Sequence, residues 1–237
     1  MSGIAIGKGK VELEVGDGTR MAAYVASPER GGLHPGLLVF QEAFGVNGHI
    51  RNVCDRFAAE GYVAIAPELF HRTAPSGFEG SYTDFASVAP HFQAVTTETA
   101  ELDVLAAYEW VRSNAQVKLN EISSVGFCMG GRVSFLANSA VALRGAVSFY
   151  GGGIAPGLLD RAAKLQAPSL LIWGGLDKRI TAEYRKAVTD ALTAQQKIYV
   201  NVEFSRADHG FFCDERAAYE PHSARQAWAL ALEFLRS

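Results

Sequence analysis

The chain has 237 residues, 49% of them hydrophobic, and its 22 Lys and Arg against 25 Asp and Glu give a formal net charge of -3. That balance leaves no basic footprint for nucleic acid, and no apolar run approaches the ~20 residues a membrane helix needs. Three scattered cysteines argue against a disulfide framework and against a C-x-x-C metal site.

This length suits one domain, so residues 1–237 are read as a single unit. Met1–Lys10 lacks the apolar core of a signal peptide, and a cytoplasmic location is expected. Strands near 10–15 and 21–26 flank the turn Gly16-Asp-Gly18 and read as a hairpin. Gly36–Gln41 is a buried strand. Residues 49–59 form a helix with Ile50, Val53, Cys54, Phe57 and Ala58 on one face. Tyr62–Ala66 is a strand stopped by Pro67. The segment 68–95 has Gly, Pro, Ser and aromatics without a clear period, as a lid or pocket wall would. It offers Arg72, Phe78, Tyr82 and Phe85 as candidate substrate-binding residues.

A helix at 96–113 is expected to bury Leu102, Leu105, Ala106 and Trp110. A strand beginning near Ile122 follows, then a helix from Gly130 to about Ser139. Ala146–Tyr150 and Pro168–Trp173 are strands, 181–193 a helix, and 197–204 a strand. The last helix opens at Pro221 and turns Trp228, Ala231, Leu232 and Leu235 inward. Alternating strands and helices predict an α/β fold with a mostly parallel sheet covered on both faces.

The run Ile122-Ser-Ser-Val-Gly-Phe-Cys-Met-Gly-Gly131 carries the chemistry. It reads as a strand, a glycine-framed turn with Cys128 at its apex, then a helix. This is the nucleophile elbow G-x-Nuc-x-G with cysteine in place of serine. A thiol at a helix N-terminus meets unpaired N–H groups that favour its thiolate. Ser169-Leu-Leu-Ile-Trp-Gly-Gly-Leu-Asp177 is a strand ending at Asp177. Val200–Phe211 is a strand followed by a loop with His209. The order nucleophile, acid, histidine is that of α/β-hydrolases, and each residue follows the C-terminal end of a strand, where open α/β sheets place their sites. Asp208 competes with Asp177 for the acid role. His34, His49, His71, His91 and His222 lack metal-ligand spacing. No metal and no cofactor is expected.

With those motifs read, the chain resembles the dienelactone hydrolase (carboxymethylenebutenolidase) family over nearly its whole length. The resemblance rests on Gln41-Glu-Ala-Phe-Gly-Val-Asn47, on Val53–Pro67, on Gly126-Phe-Cys-Met-Gly-Gly131, and on His209-Gly-Phe-Phe with Asp214-Glu-Arg216 behind it. It implies an α/β-hydrolase fold and a Cys128, Asp177, His209 triad that hydrolyses an ester or lactone through an acyl-thioester. It also implies Glu42 as a modulator of the thiol, and the backbone N–H groups of Met129 and Ala43 as oxyanion donors. Where the family carries a substrate-binding arginine, four residues past the histidine, this chain has Cys213. A broader esterase or phosphotriesterase-like activity on neutral substrates therefore stays open, as does a non-catalytic small-molecule binder of the same fold. A small-molecule ester or lactone is the expected partner, with the chain a monomer or homodimer.

Overall fold

The computed structural model describes residues 4–237; Met1, Ser2 and Gly3, which begin the segment read for a signal peptide, lie outside the described residues. Strands β1 (Ile6–Glu14) and β2 (Arg20–Pro28) pair antiparallel across the Asp17-Gly18 turn, with Glu14 opposite Arg20. Then come β3 (His34–Phe40), α1 (Gly48–Ala59), β4 (Val63–Pro67), α2 (Phe85–Ala94), α3 (Thr97–Ser113) and β5 (Val117–Phe127). The second half holds α4 (Met129–Ala140), β6 (Ala146–Phe149), β7 (Ser169–Gly174), α5 (Ala182–Ala194), β8 (Tyr199–Phe204) and α6 (Pro221–Arg236). A short 3-10 helix also spans Leu159–Lys164. The sheet has eight strands in the order β1-β2-β4-β3-β5-β6-β7-β8. Where registers are resolved, the pairs β3–β4, β6–β7 and β7–β8 are parallel, while β1–β2 and β2–β4 are antiparallel. No helix among the described residues is long and apolar enough to cross a membrane.

By its internal contacts the chain divides into two compact units, residues 1–124 and 125–237, and β5 runs through the boundary. In the first unit, β3 and β4 are continuous apolar runs buried on both faces, as parallel strands require. Helix α1 starts where the Asn47 side chain accepts the N–H of Ile50 and buries the predicted face. Helix α3 opens on a reciprocal capping box between Thr96 and Thr99.

Two expectations change here. The segment 68–95 contains the helix α2, capped by Asp84, whose side chain accepts the N–H of Ser87. Pro90 within it and only one buried residue, Val88, hide the helical period in the sequence. Helix α3 buries Ala100, Asp103, Val104, Ala107, Tyr108 and Val111, while Leu105 is 39% exposed. The predicted face is thus rotated by about one position, because a carboxylate holds the inward position.

Asp103 is fully buried and accepts two hydrogen bonds from the Arg72 guanidinium, at 2.8 and 3.0 Å. Nε2 of His71 lies 3.1 Å from the same carboxylate. Asp17 takes the remaining edge of Arg72, accepting from Nε at 2.7 Å. Removing one member of a buried pair leaves the other charge uncompensated. Asp103→Ala is expected to lower unfolding stability by about 3 kcal/mol, read as a lower urea midpoint at constant m-value. A loss below ~1 kcal/mol would reduce the pair to the worth of a surface contact.

In the second unit, β6 and β7 are fully buried, and β8 is the edge strand, with Val200, Asn201 and Glu203 exposed. Phe127, Phe149 and Phe212 pack together with centroids 4.8–5.2 Å apart, forming an apolar floor around the end of β5.

Candidate active site

Cys128 stands where β5 gives way to α4, with φ 55° and ψ -115°. A non-glycine residue at positive φ is strained and persists only where its surroundings fix it. Three backbone hydrogen bonds fix it here. Its N–H donates to the Phe149 carbonyl at 3.0 Å, and its own carbonyl accepts from Gly131 and Arg132 at 3.0 and 3.4 Å. The turn therefore lifts the sulfur out of the strand line and sets it above the first turn of α4. The Met129 N–H is the first helical donor, pointing out of the helix end without an intrahelical partner.

Asp177 follows β7 in a tight turn. Its Oδ1 accepts the N–H groups of Arg179 and Ile180 at 2.8 and 3.1 Å, which orients the carboxylate. Its Oδ2 lies 2.6 Å from Nδ1 of His209, and Nε2 of His209 lies 3.1 Å from Sγ of Cys128. The three residues that the sequence places after β5, β7 and β8 thus meet within the second unit. Asp208 does something else: its Oδ1 accepts the His209 N–H at 2.6 Å from an exposed position, bracing the loop. The Tyr150 ring lies 5.2 Å from the imidazole by centroid.

Electrostatics follow from this packing. Burial pulls the His209 pKa down, but the Cys128 charge, the Asp177 hydrogen bond and the Cys128 hydrogen bond outweigh it and push it up to about 10. For Asp177, burial raises the pKa, yet the His209 hydrogen bond and charge and the two backbone N–H donors leave it below the ordinary carboxylate value. His209 thus lies between a carboxylate on one side and sulfur on the other, and both raise its pKa.

A cavity of about 350 Å3 adjoins Asp177 and His209 and includes Lys178, Arg179, Asp208 and Arg216. A larger one, about 450 Å3 between β8 and the start of α6, contains none of the three residues. Cys213 and Cys54 are fully buried, and burial pushes the Cys54 thiol far up. Sequence reasoning did not single out Arg179 and Arg216 for the site; they line the cavity beside Asp177 and His209, and no local pattern marks them.

The other predicted residues belong to the first unit. Glu42 is 1% exposed and Ala43 3% exposed. Arg72 is engaged by Asp103 and Asp17, as described. Tyr82 accepts a hydrogen bond from the Asn47 amide at 2.7 Å and packs edge-on against Phe44, centroids 4.7 Å apart. Phe85 lies 6.5 Å from Phe44, and Phe78 6.2 Å from Phe70. Phe78 and Tyr82 pack against the buried cluster of Ala43, Phe44 and Val88, while Phe85 opens α2 and is exposed.

Residues 21–237 match the model of the dienelactone hydrolase family. A Synechocystis protein named "Putative carboxymethylenebutenolidase" is 38% identical over 218 residues, covering 88% of this chain and 88% of its own. One of the same name from Escherichia coli K12 is 35% identical over 231 residues, covering 92% and 83%. A crystal structure of a "Putative Dienelactone Hydrolase" from Klebsiella pneumoniae superposes with a TM-score of 0.89 at 31% identity, covering 98% and 99%. A dienelactone hydrolase-like promiscuous phosphotriesterase from metagenomic libraries shares the fold at 21% identity, with a TM-score of 0.83.

Proposed function

Because this chain belongs to the dienelactone hydrolase family, we propose that it hydrolyses an ester or lactone carbonyl through a covalent thioester on Cys128. The observation that carries this is the continuous chain Asp177–His209–Cys128, with links of 2.6 and 3.1 Å, at an elbow whose apex residue is strained.

The sulfur attacks the carbonyl carbon as a thiolate, and the carbonyl electron pair moves onto oxygen. The developing oxyanion faces the Met129 N–H; the family pattern assigns Ala43 N–H as a second donor and Glu42 as a modulator of the thiol. Collapse expels the alkoxide, which takes the proton from Nε2 of His209. In a lactone this oxygen stays tethered to the acyl group. Asp177 holds Nδ1 protonated throughout and balances the imidazolium charge.

The charge balance then changes in a useful direction. A thioester carries no negative charge, so the Cys128 contributions that raise the His209 pKa disappear on acylation. Burial and Asp177 remain. His209 therefore loses its proton more readily in the acyl-enzyme, when a neutral imidazole is needed to take a proton from water. Water attacks the thioester, the acid is released, and the thiolate–imidazolium pair is restored. For the substrate side we propose the aromatics Phe78, Tyr82 and Phe85 as apolar contacts, together with Arg72, which Asp103 and Asp17 hold in place. The whole chain acts as one catalytic domain.

Acid quenching of the protein during turnover of p-nitrophenyl butyrate tests the reading. A butyryl group should appear on the peptide containing Cys128 and be released by hydroxylamine. Turnover with the acyl group on another residue, or with none at any quench time while burst kinetics are present, would overturn it.

A further inference from the structure

Tyr150 directly follows β6 and is fully buried, yet its backbone has φ 37°. Among the described residues, Cys128, Tyr150 and Gln196 are the non-glycine residues at positive φ. A tyrosine rarely adopts that region, and such strain persists only where the surroundings over-determine it. Here the peptide that joins Phe149 to Tyr150 is held at both of its polar atoms. Its carbonyl accepts the Cys128 N–H at 3.0 Å, and its N–H donates to the Ile172 carbonyl of β7 at 2.7 Å. One peptide thus ties the elbow that carries Cys128 to the strand that runs toward Asp177.

The side chain reaches the third member. The Tyr150 ring lies 5.2 Å by centroid from the His209 imidazole, inclined at 59°, and 5.5 Å from the Phe211 ring, inclined at 66°. His209 and Phe211 flank Gly210, which has φ +81° and where a Cβ would collide with the Arg216 guanidinium. The Tyr150 ring therefore meets the histidine loop at two points. Hydrogen bonds at Nδ1 and Nε2 fix the two nitrogens of His209, but they leave the imidazole free to rock about the line joining those atoms. An aromatic ring packed against it removes that freedom.

We propose that Tyr150 is a positioning residue whose ring sets the plane of the His209 imidazole, so that its nitrogens stay aligned with Asp177 and Cys128 at once. This rests on the reading of Cys128, His209 and Asp177 as one catalytic chain. Glycine would relieve the backbone strain at this position, but it has no ring to offer. The role belongs to the ring, not to the hydroxyl.

Three variants test this. Tyr150→Phe keeps the ring, Tyr150→Gly relieves the positive φ and removes the ring, and Tyr150→Leu keeps apolar volume without a flat face. The readouts are kcat and KM for p-nitrophenyl butyrate, and the far-downfield proton NMR signal of the His209 Nδ1 proton shared with Asp177, recorded without substrate. Tyr150→Phe should match the parent in all of them. The glycine and leucine variants should lose about 10²-fold in kcat, the scale for a catalytic group misplaced by about 1 Å. Their KM should stay near parental, and their Nδ1 signal should shift or broaden. Parental kcat in a folded variant without the ring would overturn the proposal, as would an unchanged Nδ1 signal. A loss in Tyr150→Phe equal to that in the other two would also overturn it, because the hydroxyl would then be the acting group. Unfolding curves separate loss of fold from loss of alignment, and Tyr150→Leu carries the test if the glycine variant does not fold. The Nδ1 signal reports the Asp177–His209 geometry whether or not a thioester forms on Cys128, so either idea can fail while the other stands.

Discussion

Cys128→Ala is expected to lower kcat on any hydrolysed ester by about 10⁴–10⁶-fold, the range seen when a nucleophile acting as part of a unit is removed. Alanine keeps the small Cβ that the elbow already accommodates, so thermal stability should change little. Residual rate above water would come from the oxyanion donors, which this change leaves in place, and from substrate binding. Cys128→Ser should also lose most activity. A hydroxyl is much harder to ionise than a thiol, and His209, its pKa raised to about 10 with Cys128 as the largest raising cause, is tuned to sulfur rather than to an alcohol. Turnover numbers beside melting curves for both variants check this. Cys128→Ala at parental rates would remove the covalent mechanism, whereas parental rates in Cys128→Ser alone would show that elbow geometry suffices without an ionised sulfur.

Gly126→Ala is expected to cost more than about 4 kcal/mol, in the range reserved for a backbone collision that nothing can relieve. A Cβ at this position would lie 1.8 Å from the Gly130 carbonyl oxygen, 2.2 Å from its carbon and 2.9 Å from the Gly131 nitrogen. These are backbone atoms of the first turn of α4, which cannot swing aside as a side-chain end could. Relief requires shifting that turn, and the turn carries Cys128 and the Met129 N–H. The variant should therefore melt about 10 °C or more below the parent and lose activity together with stability. Gly152→Ala is the control, because a Cβ there meets nothing within 4 Å, and its melting temperature should stay close to parental. A Gly126→Ala protein within 1 kcal/mol of the parent would mean that the elbow yields far more than its contacts indicate.

Much of the site could be read before any coordinates. The elbow depends on a local pattern, because glycine spacing, an apolar strand and a following helix are set by neighbours within a few residues. The caps at Asn47, Thr96 and Thr181, each a side chain accepting a nearby N–H, are just as local, although the sequence reading did not draw them out. Helix α2 was obscured because Pro90 lies within it and Val88 is its one buried residue, which erases its period. The inward face of α3 was missed because hydrophobicity alone assigns Leu105 inward and Asp103 outward, whereas Asp103 is buried to meet an arginine 31 residues earlier in the chain. Arg72 could be singled out as a charged residue in an aromatic segment, but its occupation by two carboxylates depends on partners far away in sequence.

The sequence by itself determined the alternation of strands and helices, the family, and which residue type stands at each strand end, because those features are written in short-range periodicity, turn chemistry and motif spacing. Only the tertiary structure decided that a sulfur and an imidazole 81 residues apart lie at 3.1 Å, and an imidazole and a carboxylate 32 residues apart at 2.6 Å. It also decided that the Arg132 side chain passes close to Gly153. The reason is that strand order is set by long-range pairing. The sequence β5-β6-β7-β8 across the sheet brings three separate loop ends side by side, and no local pattern encodes that neighbourhood or the charge field that results from it.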